Sequence, residues 1–290
     1  SVMLIVMGPV LGVSVADLYA AAFGPGFLLA GLYVVYLMAR SIWNPKLGPP
    51  VPKEERVHSF GVMLREVIVG VVPLIGLITA TLGSILAGLA TPTEASGIGT
   101  VGALALALAY RKLSFAGLQR ALNSTMSTTS MVLLLAVTSN IFGAVFARLG
   151  TANWITNTLL SFELPPMFML VMVLVLIFLL GWPFEWPAIV LVFLPIFYPV
   201  VAALKIDMIW FGALTAVTLQ TAFLSPPVAM SAYYLKQVVK DWSLATIYNG
   251  MFQFMVLQVI CIGLLIYFPQ ISLWFPERLQ AAARAEKIPE

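Results

Sequence analysis

Two short stretches hold most of the residues whose types and spacing could do chemistry. The first is Gly181-Trp182-Pro183-Phe184-Glu185-Trp186-Pro187; the second is Leu224-Ser225-Pro226-Pro227, preceded by Thr218, Gln220 and Thr221. Each proline removes a backbone donor and clashes one turn back, so a helix cannot keep its hydrogen-bond ladder through either stretch. Carbonyls freed in this way, with the side-chain oxygens of Thr218, Gln220, Thr221 and Ser225, suit a hard cation such as Na⁺. For any single kink the alternative is structural: Pro and Gly bend the helix, and polar side chains tie it to a neighbour. A hairpin-like turn followed in the next span by a double-proline break favours one shared ion site.

Three further side chains stand out because of their apolar surroundings. Glu94 and Glu185 are the acidic residues set most deeply in apolar sequence, where carboxylates are costly and usually functional. Glu94 follows Thr91-Pro92-Thr93 and can accept freed N–H groups at a helix start, a structural break role. Glu185 either binds an ion or proton or closes its turn by hydrogen bonding. Asn140 sits in the middle of an apolar run; either its amide bonds to a neighbouring helix, or with Thr221 it lines a substrate path. Catalytic chemistry has few parts to work with. His58 is the single histidine and Cys261 the single cysteine, which removes triads, disulfides and thiol–imidazole metal sites. There is no phosphate-binding glycine loop and no HExxH motif. No enzyme activity and no cofactor is expected.

The elements that must carry these residues are membrane helices. Apolar stretches run over Val2–Val10, Leu18–Arg40, Val67–Leu89, Gly97–Tyr110, Ser124–Ala147, Pro165–Leu180, Ala188–Leu204, Met208–Leu235 and Ile247–Phe268. A helix needs roughly 20 apolar residues to cross a bilayer, whereas barrel strands alternate over about 10. Val67–Tyr110 is too long for one crossing and reads as two helices meeting at Ala90–Ala95. Pro165–Leu204 reads as two short arms of a re-entrant hairpin, and Met208–Leu235 as one broken span. The composition agrees. Of 290 residues 61% are hydrophobic and 9% charged, against roughly 25% charged in soluble domains; the mean hydropathy is +1.01. The solvent is lipid. The net charge of +3 is scattered, so no nucleic-acid partner is expected.

Basic residues assign sidedness. Alternating crossings put Arg40, Lys46, Lys53, Arg56, Arg65, Arg111, Lys112, Arg120, Lys236 and Lys240 on the cytoplasmic side. Arg148, Lys205, Arg278, Arg284 and Lys287 fall opposite or in the tail. The expected division is residues 1–43, the end of a first repeat; 44–66, a proline-rich cytoplasmic linker and interfacial helix; 67–268, a second repeat with hairpin 165–204 and broken helix 208–235; and 269–290, an exposed amphipathic tail.

At these same breaks the chain resembles the large membrane (M) subunit of TRAP transporters, the tripartite ATP-independent periplasmic carriers. The resemblance rests on Gly88-Leu89-Ala90-Thr91-Pro92-Thr93-Glu94-Ala95 and on Leu219-Gln220-Thr221-Ala222-Phe223-Leu224-Ser225-Pro226-Pro227, with Leu194-Pro195-Ile196, Pro199 and Trp210-Phe211-Gly212 between them. It implies an inverted-repeat, elevator-type fold in the bacterial inner membrane. It also implies Na⁺-coupled uptake of an organic acid anion, delivered by a periplasmic substrate-binding protein, with a small membrane (Q) subunit as partner. Carried over residue by residue, the ion site falls on Gly181, Trp182, Glu185, Leu224, Ser225, Pro226 and Pro227. Trp182, Pro183 and Trp186 make this tip bulkier than the family's usual small, polar one. Ser1 matches the serine of the family's first break, so the first repeat's hairpin is expected to lie outside this sequence. The alternative expectation is a shortened, TRAP-like structural subunit of a larger membrane complex without transport activity.

Overall fold

A computed structural model of the chain describes residues 2–49, 52, 59–226 and 230–286. His58, most of the linker charges and Pro227 lie outside the described residues. Among the described residues there are helices and turns and no strand. Contacts between residues divide the chain into two compact units: Ser1–Tyr33 with Thr129–Glu290, and Val34–Thr128.

Among the described residues, five helical runs are long and apolar enough to cross a membrane: Val15–Trp43, Phe60–Leu86, Phe115–Phe146, Trp186–Ala203 and Leu244–Tyr267. Their outward apolar side chains, Val35, Ile42, Leu134 and Phe252 among them, are exposed. Such faces are stable in hydrocarbon, and the helix satisfies its own backbone there.

The first unit contains α1 (Val2–Leu11), the start of α2 (Val15–Trp43), the end of α6 (Phe115–Arg148), and α7 (Thr151–Leu160). It continues with α8 (Pro166–Leu180), α9 (Trp186–Ala188), a π-helical turn at Ile189–Phe193, α10 (Leu194–Ala203) and α11 (Met208–Gln220). A 3₁₀ turn at Thr221–Phe223, α12 (Met230–Val238), α13 (Leu244–Tyr267) and α14 (Gln270–Glu286) complete it. The core sits around α11, where every residue from Trp210 to Leu219 is buried. Helices α1, α8, α13 and α14 pack against it. Gly212 lets α1 and α2 come close: a Cβ there would lie 2.6 Å from Leu18 Cδ2 and 3.1 Å from Leu11 Cδ1. The π turn just precedes Pro195, and Leu194 N–H bonds back to Ile189 O. Widening the turn relieves the clash between a proline ring and the carbonyl four residues earlier.

The tail corrects an expectation. Residues 269–290 read as an exposed amphipathic segment, but the described part folds back as α14. Ser272 is fully buried, and the Phe23 and Phe275 rings meet edge-on at 5.4 Å. Gln280 Nε2 donates to Asp17 Oδ2 at 3.1 Å. Gly24 makes this possible, because a Cβ there would overlap the Ile271 carbonyl. Close approach of two backbones at a glycine lies far apart in the chain, so amphipathicity alone does not reveal it.

The second unit contains α3 (Phe60–Gly70), α4 (Val72–Leu86) and α5 (Pro92–Ala109). The long apolar stretch does divide into two helices, and α4 packs against α5. The turn between them needs Gly88, whose φ is +70°. Helix α5 begins at Pro92 rather than Gly97, because Thr91 and Glu94 form a capping box around its first turn. Helix α3 continues into α4 with only Val71 between them. Pro73 lacks the N–H that would serve the Val69 carbonyl. The Tyr110 hydroxyl donates to that carbonyl instead.

Candidate functional site

The turn after α8 and the end of α11 are brought together. Helix α8 has fifteen residues, about 22 Å of rise, short of the roughly 30 Å hydrocarbon layer. It starts on Pro165-Pro166 and closes at Gly181, whose N–H bonds to Ile177 O at 3.0 Å and Phe178 O at 3.1 Å. Phe184 N–H reaches Leu180 O at 3.1 Å, and the Glu185 carbonyl receives Ala188 N–H and Ile189 N–H to begin the next helical arm. The Phe184 and Phe193 rings, 5.2 Å apart, tie the turn to that arm.

Gly181 presses on the break. A Cβ there would lie 3.0 Å from Ala222 Cβ and 3.6 Å from Ala222 Cα. Helix α11 starts on Asp207, whose Oδ1 accepts Trp210 N–H at 2.8 Å. Its other end dissolves into the 3₁₀ turn Thr221–Phe223 for a local reason. Pro226 and Pro227 have no N–H, so the Ala222 and Phe223 carbonyls lose the donors that a continuing helix would supply. Pro226 also disfavours helical backbone at Ser225. The Ser225 hydroxyl partly replaces the missing donor, reaching Ala222 O at 3.4 Å.

The hydroxyls along this end share one arrangement. Thr218 donates to Leu214 O at 2.8 Å and Thr221 to Thr218 O at 2.6 Å. Thr218, Thr221 and Ser225 are all at most 2% exposed. Each uses its proton on a carbonyl, which leaves oxygen lone pairs as acceptors. The end of α11 thus offers buried neutral oxygens and no fixed charge, an arrangement able to hold a desolvated monovalent cation.

The other proposed residues are placed as follows. Leu224 is half-buried and Pro226 exposed beside Ser225, while Pro227 lies outside the described residues. Trp182 is 42% exposed and meets Phe178 edge-on at 6.0 Å. Glu185 is exposed, and its carboxylate makes no cap bond to the following helix. Asn140 is exposed on α6, whereas its neighbour Ser139 is buried with its hydroxyl unpartnered. The Thr91–Glu94 group belongs to the other unit. There Glu94 Oε2 accepts Thr91 N–H at 2.7 Å and the Thr91 hydroxyl at 2.8 Å.

Sequence reading missed Ala222, the residue that Gly181 touches, since a small apolar side chain carries no chemical signal. It also missed Gln258 of α13 and Tyr33 of α2, which line a cavity of about 420 Å³ beside the break with Gln220 and Leu224. A glutamine in the middle of an apolar span was the available signal.

With helices and no strand among the described residues, and five of those helical runs of membrane length, this is a multi-pass membrane protein. Residues 1–271 match the model of the tripartite ATP-independent periplasmic transporter family, DctM component, and the chain belongs to that family. The resemblance carried by the Thr-Pro-Thr-Glu and double-proline motifs is thereby confirmed. The family is one of inner-membrane transporter permeases, not of enzymes.

The sialic acid TRAP transporter large permease protein of Vibrio cholerae is 28% identical over 278 residues, covering 96% of this chain and 63% of that protein. The C4-dicarboxylate large permease of Pseudomonas aeruginosa is 30% identical, covering 96% and 64%. The ectoine/5-hydroxyectoine large permease of Ruegeria pomeroyi is 30% identical, covering 94% and 62%. The chain spans less than two thirds of the length of these relatives.

Proposed function

We propose that the chain serves in the membrane permease of a TRAP-type secondary carrier, where it takes part in Na⁺-coupled uptake of an organic acid anion. The observation that carries this reading is the contact of Gly181 with Ala222, which sets the turn after α8 against the frayed end of α11. Na⁺ would be held by the Thr221 and Ser225 hydroxyls and by the Ala222 and Phe223 carbonyls. Glu185 would add a negative charge at the rim of the turn. Unwound carbonyls at the end of a half-helix are the groups that membrane carriers use for Na⁺. Because tip and break touch, an ion bound between them is lost when they part, which couples occupancy to movement. The elevator-type motion of an inverted-repeat fold, the small membrane subunit and a periplasmic binding protein that delivers the anion are parts of the same proposal.

The test is Na⁺-dependent counterflow by the full-length permease, reconstituted in vesicles with its partner subunits. Ser225→Ala and Glu185→Ala are expected to raise the Na⁺ concentration needed for half-maximal transport while leaving membrane insertion intact. Unchanged Na⁺ dependence in both variants would refute the site. Transport indifferent to Na⁺ in the unaltered protein would refute the coupling.

A further inference from the structure

The cavity beside the break is lined by groups that the Na⁺ site does not use. Gln258 of α13 is 4% exposed, and its Oε1 has no hydrogen-bond partner among the described residues. Tyr33 lines the same cavity, so its hydroxyl and the unpartnered Gln258 Oε1 belong to one polar lining. Tyr33 is itself held, its ring edge-on to Phe254 at 5.0 Å and 87°. Gln220, the last residue of α11, and Ser231 of α12 complete the polar lining.

The chemistry of the lining limits what can enter. A buried acceptor without a donor is unfavourable, so Gln258 Oε1 is suited to a ligand that brings a donor. Among the described residues, no Asp, Glu, Lys, Arg or His lines the cavity. A carboxylate or ammonium placed there would meet no opposite charge among the described lining residues. A hydroxyl fits, because it donates to Gln258 Oε1 and accepts from Tyr33, Ser231 or the Gln220 amide. The volume, about 420 Å³, lies within the range of roughly 300–1,000 Å³ common for small-molecule sites and far exceeds the ~30 Å³ of one water.

We propose that the cavity formed by Tyr33, Gln220, Ser231 and Gln258 binds an uncharged, hydroxyl-bearing part of the transported solute, apart from the oxygens that hold Na⁺. The assignment rests on the carrier reading above and narrows it: the cargo is a hydroxylated anion whose carboxylate lies elsewhere. Leu224 lines the cavity and follows the 3₁₀ turn. A seated hydroxyl group therefore steadies the same break that holds the ion.

The experiment follows thermal unfolding of the full-length protein in detergent, titrated with gluconate, with hexanoate, and separately with NaCl. Gluconate and hexanoate have six carbons and one carboxylate each, and differ in hydroxyl groups. Gluconate is expected to raise the unfolding temperature saturably and hexanoate to leave it unchanged. Gln258→Leu is expected to weaken the gluconate response at least tenfold while the NaCl response persists. Tyr33→Phe and Ser231→Ala provide second variants that keep shape if Gln258→Leu does not fold. Equal responses to gluconate and hexanoate, no response to either, or a gluconate response unaltered in every folded variant would overturn the proposal. A gluconate response without a NaCl response would leave the hydroxyl site standing and remove the Na⁺ site.

Discussion

Replacing Gly181 with alanine tests the contact on which the ion site depends. Gly181 has φ −64°, so the backbone tolerates a side chain and no conformational strain enters. What the methyl group meets is steric: 3.0 Å to Ala222 Cβ and 3.1 Å to Phe178 O. Neither neighbour can rotate away, since one is a methyl fixed to backbone and the other a carbonyl. Normal contact requires the turn and the break to separate by a few tenths of an ångström. Overpacking of this kind costs about 1–3 kcal/mol. If 1–2 kcal/mol of that falls on the tip–break contact, Na⁺ binding weakens roughly 5- to 30-fold. The assay is the Na⁺ dependence of counterflow, with thermal unfolding in parallel. Gly143→Ala is the control, because a Cβ there meets nothing within 4 Å. The reversion Gly181→Ala with Ala222→Gly removes one of the two colliding methyl groups. Non-additivity in this pair isolates the contact from general destabilisation. A Gly181→Ala protein with unaltered Na⁺ dependence would refute the reasoning, and so would a double variant that is simply additive.

Gly24→Ala drives a methyl group into the Ile271 carbonyl, a backbone clash expected to cost about 3 kcal/mol or more; limited proteolysis should then release α14, and an intact tail would count against its packing. Tyr110→Phe leaves the Val69 carbonyl without the hydroxyl that replaces the donor missing at Pro73, a loss of about 1 kcal/mol that unfolding in mixed micelles would measure. Trp210→Phe removes the buried bond from Nε1 to Leu265 O, 3.1 Å long, and should lower stability by about 1–2 kcal/mol without changing Na⁺ dependence.

Composition alone established the solvent. With 9% charged residues the chain cannot cover itself for water, and that constraint makes helices nearly obligatory. Proline positions were legible in part, because their effect is local. Pro226 follows the frayed end of α11, and Pro73 and Pro195 stand in the first turns of α4 and α10, whereas Pro25, Pro199 and Pro276 sit inside helices that continue. The Thr91–Glu94 cap was legible for the same reason, since both partners lie within one turn.

Contacts between distant residues were not legible. Gly181 against Ala222, Gly24 against Ile271 and Gln258 beside Tyr33 join positions whose side chains are small, apolar or neutral. Glu185, conspicuous in sequence, ends exposed, while Ser139 beside the conspicuous Asn140 is the buried one. A helix face is chosen by the packing of the whole bundle, and a chain that is apolar on all sides has no periodic stripe to announce that choice. The residue types and breaks were therefore set by sequence, through steric rules that act within a turn. Which oxygens share a site was decided by tertiary packing, through close approach at residues that lack a side chain to forbid it.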